Sequence, residues 1–204
     1  MKMYSYVVTR DFGFAPNPFH GICTLATCKP TIRRNAKIGD WVIGTGSVPK
    51  QLGNKLIFAM KVTEVLTFQE YWEDERFICK KPLMNGSLVQ MYGDNIYWKD
   101  PSTGEWNQEN SHHSHEDGTL NTRNLKKDIP GENVLISDHF YYFGSVPIEI
   151  PEDLIKDSVK KKQGHRNVLP EIADQLIYFL LENQELGYNS DPMNFSDFQR
   201  YDGK

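Results

Sequence analysis

Between Ser111 and Gly118, three histidines fall within four positions, with Glu116 and Asp117 directly after them. Imidazole is the side chain that changes charge nearest neutral pH, and a carboxylate that orients it completes an acid–base unit. His112 and His113 are therefore the candidate catalytic acid and base, with Asp117 as the orienting carboxylate. In an extended chain His113 and His115 share a face. His115 and Asp117 have the spacing of a two-histidine, one-carboxylate iron site, with His139 or His165 as a third ligand. A polar, His-rich loop produces that spacing by chance, so no metal is assigned. A solvent-exposed loop that binds nothing is the competing reading of the whole stretch.

Other residue groups suit a ligand site. Two prolines and a glycine make Arg10 to His20 rigid and irregular, which lowers the ordering cost of binding. Phe12, Phe14 and Phe19 offer rings to stack on a base. Asp11 and Asn17 offer polar atoms to read its edge, with Arg10 and His20 at the flanks. In the alternative, the rings plug the end of a barrel and the polar groups cap turns. Arg33 and Arg34, near Lys29 and Lys37, match phosphate oxygens in pairs, or form an ordinary solvated face. Gly44 and Gly46 let a backbone approach a ligand, and Thr45 and Ser47 supply hydroxyls, although the Gly-Lys-Ser/Thr ending of a phosphate loop is absent. Tyr92, Asp94 and Tyr97, with Asp138 and His139, face one pocket or serve as turn and cap chemistry; the second is favoured. His20, Cys23 and Cys28 hold zinc donors on paper, but no second cysteine pair exists. Cys23 and Cys28 read as small buried hydrophobes, with a thiol nucleophile paired to His20 as the reactive alternative.

Composition bounds these readings. The chain has 204 residues, 39% hydrophobic and 12% aromatic, enough for a real core in one domain. The longest strictly apolar run, Leu176 to Leu181, is far short of the roughly 20 residues of a membrane span, so no membrane partner is expected. The N-terminus reads as the start of a strand and not as a secretion signal. Three cysteines without disulfide spacing point to a reducing cytoplasm. A net charge of -4 excludes a wholesale basic nucleic-acid coat and leaves room for a local basic groove. No cofactor motif is found.

The elements that must position these groups are mostly strands. Aromatic and β-branched residues predict strands over 3–9, 21–28 and 38–45. Over 55–65, Leu56, Phe58, Met60 and Val62 alternate onto one face of a half-buried strand. Thr67 and Glu70 have capping-box spacing, predicting a helix over 68–76. Strands are expected over 87–92, 95–98, 133–137 and 139–143. Residues 99–131 read as a long polar loop. A polar helix is expected over 151–162, and a clear one over 169–183 from Leu169, Ile172, Ala173, Leu176, Ile177 and Leu180. Pro170 suits the first turn, and the tail from Gly187 is expected to fray. The sum is an α+β, strand-dominated domain with roughly two or three peripheral helices, closed into a small twisted β-barrel to remove sheet edges. Residues 1–146 form the β-rich part, and 147–204 a C-terminal helical extension packed on the same domain.

Several long motifs carry a resemblance. These are Tyr4-Ser-Tyr-Val-Val running into Arg10 to Phe19, Cys23 to Pro30, Ile32-Arg-Arg34 and Gly39 to Ser47. Tyr92 to Tyr97, Ser111-His-His-Ser114 with Asp117-Gly118, and Val134 to Gly144 continue it. The sequence resembles the second family of nucleotide-modification-associated domains, bacterial and phage proteins linked by gene context to DNA-base modification and phage conflict. The order of Gly39-Asp-Trp-Val-Ile, a loop, a strand and a short helix is also similar to PUA-like and EVE-type barrels, which often hold modified bases. These likenesses imply a protein that binds a nucleotide or nucleobase and acts on it. The alternatives are a non-catalytic reader of modified bases, in single-stranded or flipped-base DNA, and a protein-interaction subunit. A homo-oligomer is compatible with all three.

Overall fold

The computed structural model describes residues 1–160 and 164–203. From the N-terminus, β1 (Met3–Val8), β2 (Cys23–Leu25), α1 (Pro30–Asn35), β3 (Trp41–Gly46), β4 (Lys55–Lys61), β5 (Glu64–Thr67) and α2 (Phe68–Glu73) follow in order. Then come α3 (Leu88–Met91), β6 (Tyr97–Lys99), β7 (Trp106–Gln108), α4 (Thr122–Asp128), β8 (Asn133–Ser137) and β9 (His139–Tyr142). The chain ends with β10 (Ile148–Glu149), α5 (Glu152–Ser158), β11 (His165–Val168), α6 (Pro170–Asn183) and β12 (Gly187–Tyr188).

The α+β, strand-dominated class holds. The large sheet runs β11-β1-β3-β4-β9-β12, with β10 also on β4; a second sheet is β2-β8-β5, and β6 pairs β7. β1 and β3 are parallel, whereas β3, β4 and β9 are antiparallel neighbours. The chain changes sheets at two short corners, between β4 and β5 and between β8 and β9. Those corners stack the small sheet on the large one, and no closed barrel is found among the described residues. The core lies in layers. Tyr4, Val42, Phe58 and Met60 of the large sheet share one cluster with Cys23, Leu25 and Leu135 of the small sheet. On the large sheet's other face, Met3, Trp41, Ala59 and Tyr141 pack with Ala173, Leu176 and Leu180 of α6. The outer face of the small sheet, with Val134 and Ile136, is covered by Phe12, Phe14, Phe68, Tyr71, Tyr92 and Tyr97.

Local departures from expectation have local causes. β4 is buried on both faces, Phe58 and Met60 against the small sheet and Ala59 against α6, and a register shift at Gly44/Thr45 turns Leu56 to the α6 side, away from Phe58 and Met60. Gly44 is required there, since a Cβ would lie 2.2 Å from the Phe58 ring. Pro30 opens a helix in the basic stretch instead of only interrupting it. Residues 88–91 are helical because Ser87 and Gln90 form a capping box, which outweighs the apolar alternation. The region 99–131 holds β7 and α4, the latter capped by Asn121. α5 stops at Ser158, and residues 161 and 162 of the expected helix lie outside the described ones. Residues 147–204 contribute three strands to the large sheet, and the tail after Gly187 is docked. The buried Asp11 carboxylate accepts from Met193 N at 3.2 Å, and Asp11 O accepts from Asn194 N at 2.7 Å.

Candidate functional site

His113 sits in a tight turn whose neighbours Ser111, His112 and Ser114 are also buried. Its Nδ1 lies 2.7 Å from Asp128 Oδ2, and neither side chain is more than 3% exposed. Asp128 is the last residue of α4. The same Oδ2 accepts from Tyr97 OH at 2.9 Å, and Oδ1 accepts from the backbone N of Cys28 at 2.7 Å. With Nδ1 engaged by Asp128, the His113 ring also lies in electrostatic range of the Cys28 thiol. Burial alone would push the His113 ring down. The Asp128 charge and hydrogen bond, with the Cys28 thiol, overcome it and raise the value to about 10. Burial likewise opposes ionisation of Asp128, and the His113 and Arg33 charges more than offset it, holding the carboxyl below its ordinary range. Imidazolium and carboxylate are thus both charged at neutral pH.

Rings enclose this pair. Phe14 lies 4.7 Å from His113 and 4.8 Å from His112, centroid to centroid, and Phe12 stacks on Tyr92 at 5.4 Å. Tyr201 from the tail packs 5.4 Å from His113. His112 behaves oppositely to its neighbour: burial, then the adjacent His113 charge, lowers it to about 3. Its Nδ1 pairs with the Gln199 carbonyl, and its own carbonyl accepts from Tyr201 N at 2.7 Å. Arg200 Nη1 reaches Ser111 O and Ser114 Oγ, each at 2.6 Å, so the tail straps the turn down.

The remaining sequence candidates divide. Phe12, Phe14, Tyr92, Tyr97, His112 and His113 come together. Asp117 does not join them: it is exposed and accepts from Thr119 Oγ1 at 2.6 Å, while Asp128 holds His113. Arg33 is fully buried, and its guanidinium donates to the carbonyls of Cys28, Asn133 and Asp128, so it braces the site and presents no fork to a phosphate. Arg34 and Arg10 are exposed, with Arg10 in electrostatic range of His112. Asp11 accepts from Tyr142 OH at 2.5 Å and anchors the tail. Asn17 and Asp94 belong to another buried network. There Lys80 Nζ donates to Asn17 Oδ1 at 2.7 Å and Ile22 O at 2.6 Å, while Asp94 accepts from Thr24 Oγ1 at 2.7 Å and Tyr71 OH at 2.8 Å. Thr45 bonds the Tyr6 carbonyl at 3.4 Å, and Ser47 O receives Lys50 and Leu52 N–H groups. His20 is exposed, in a left-handed turn with φ 61°. Cys23 is wholly buried, its thiol pushed up to about 12 by burial, whereas Cys28 is half-buried. Among the described residues no group of three or more His, Cys, Asp and Glu is arranged to hold a metal. An open groove of about 510 Å³ beside Trp41, His139 and Tyr178 shares no residue with this site.

The sequence reading misses Asp128 as the partner of His113. The available signal was Asn121, an N-cap residue seven positions before Asp128, which places that carboxylate at a helix end.

A layered α+β domain with a buried His–Asp pair under a rigid Phe-rich loop is the class these features define. The family model for nucleotide modification associated domain 2 matches residues 1–199, and the chain belongs to that family. Its name implies association with nucleotide-modification systems. No curated protein and no solved structure matches the chain. No helix among the described residues is long and apolar enough to cross a membrane.

Proposed function

We propose that this domain binds a nucleotide or nucleobase and acts on it through His113, working in the cytoplasm beside systems that modify DNA bases or answer phage. The observation that carries this reading is the buried His113–Asp128 pair at 2.7 Å, wrapped by Phe14, His112 and Tyr201. Replacing a buried ion pair by a hydrophobic pair of the same volume is often neutral or stabilising, so stability alone does not call for a buried charged imidazole, and a chemical role supplies a reason for it. His113 enters as a general acid, because Asp128 keeps its ring protonated. The family's association with nucleotide modification supports a nucleotide as the ligand.

The test is a thermal-shift series with mononucleotides, modified nucleosides and short oligonucleotides. A ligand at about 100 times its Kd adds about 2.7 kcal/mol. A raised midpoint with mononucleotides, indifferent to salt and lost in His113→Gln, is expected. A shift with oligonucleotides alone that fades as salt rises identifies a non-catalytic reader instead, and no shift with any ligand overturns nucleotide binding.

A further inference from the structure

Helix α6 carries more apolar surface than the core takes up. Ala173, Leu176 and Leu180 are buried against the large sheet. A second stripe, Asp174, Ile177, Tyr178 and Leu181, follows the i, i+3, i+4, i+7 spacing of a further helix face. This stripe is one wall of the open groove of about 510 Å³. Tyr178 is 67% exposed and Leu181 54%. The other wall is the end of the large sheet, with Met1, Gly39 and Lys61, and Ile38 next to Gly39 is 68% exposed. Between the walls, the rings of Trp41 and His139 meet edge to face at 5.5 Å. Large apolar side chains exposed together on one face mark an interaction site, whereas scattered ones do not.

The two walls differ in charge. α6 carries Glu171, Asp174 and Glu182 and no lysine or arginine. The sheet end carries Lys61, with Lys2 and Lys37 exposed beside it. Both of these donate a backbone N–H to Asp40, which lies between the groove residues Gly39 and Trp41. Asp40 and Asp138 offset the three lysines only in part. Among the described residues neither Lys61 nor Asp174 takes part in an ion pair. We propose that this groove is the interface of a two-fold dimer, with a second copy of this chain as its occupant. A two-fold axis through the groove exchanges its walls, so the acidic α6 of each copy meets the lysine-bearing sheet end of the other. The patch is then complementary to itself in charge as well as in apolar character, whereas a phosphate-bearing ligand would meet the carboxylates of α6. Tyr178 is the anchor, since a few large aromatic side chains carry most of the energy of such contacts. The His113 turn lies with the outer face of the small sheet, away from α6, so the dimer covers neither copy's turn.

The experiment is sedimentation velocity of the intact chain at concentrations from about 1 to about 100 μM, where an interface of ordinary strength assembles. A species of twice the chain mass is expected, and Tyr178→Asp is expected to weaken it by about tenfold or more. Tyr178, Lys61 and Asp174 are all exposed, so substitutions there keep the fold, which an unchanged circular dichroism spectrum checks. Lys61→Asp and Asp174→Lys each set like charges across the two-fold, and each alone is expected to be monomeric. Mixed together they are expected to form a heterodimer, because each then offers the charge that the other lacks. A native chain that stays monomeric throughout overturns the proposal and leaves the groove to a different occupant. A dimer indifferent to these substitutions, or a mixture that stays monomeric, overturns it as well.

Discussion

At the scale of single residues, two adjacent imidazoles titrate in opposite directions, and stability must carry both signs. His113 is raised, so its contribution is full below the ordinary value of 6.5 and is lost as pH climbs towards about 10. His112 is lowered, so its contribution is full above 6.5 and is lost as pH falls towards about 3. The melting midpoint is therefore expected to peak near the ordinary value of 6.5, measurable by thermal denaturation across pH. His112→Gln should flatten the acid limb and His113→Gln the alkaline one. Breaking the buried pair by Asp128→Ala should cost about 3–5 kcal/mol, whereas Asp117→Ala should fall within about 0.5 kcal/mol of the native chain, both by urea denaturation. The histidines were legible because their residue type announces their chemistry. Asp128 was not, because it reaches His113 from fifteen positions away and nothing in the sequence says which carboxylate a fold returns to a turn. The sequence offers His20 as a partner for Cys28, but His20 faces solvent.

At the scale of elements, the motifs with their own local physics were read well. The Thr67–Glu70 capping box, the apolar stripe of α6 and the strands β8 and β9 form where patterning places them. Ser87 and Gln90 carry the same capping chemistry, and a helix stands where apolar alternation predicts a strand. The tail shows the limit of reading polarity as disorder. It is polar, yet its Arg200, Tyr201 and Asn194 find partners on the His turn and on Asp11. Removing residues 192–204 should lower stability and raise hydrogen exchange over 110–115, while β4 and β9 stay protected. Unchanged exchange over the turn would show that the strap does not hold it.

For the whole molecule, strand content and class were legible from composition and alternation, but closure was not. Whether strands close or stack is decided by corners such as Thr63 and Asp138, where one or two residues move the chain between sheets. Those corners place the Phe-rich loop, the His turn and α4 on the outer face of the small sheet, away from α6. A net charge of -4 predicts weak affinity for duplex DNA at physiological salt, which filter binding across a salt series would show.

In the proposed function, His113 is a charged acid in a nucleotide site. Long-range nitrogen–proton NMR of its ring, from about pH 5 to about pH 9 with and without a mononucleotide, tests this most directly. A His113 ring that keeps both protons through neutral pH and shifts when the nucleotide is added is expected. A ring that titrates near the ordinary value of 6.5 and ignores the nucleotide would contradict it.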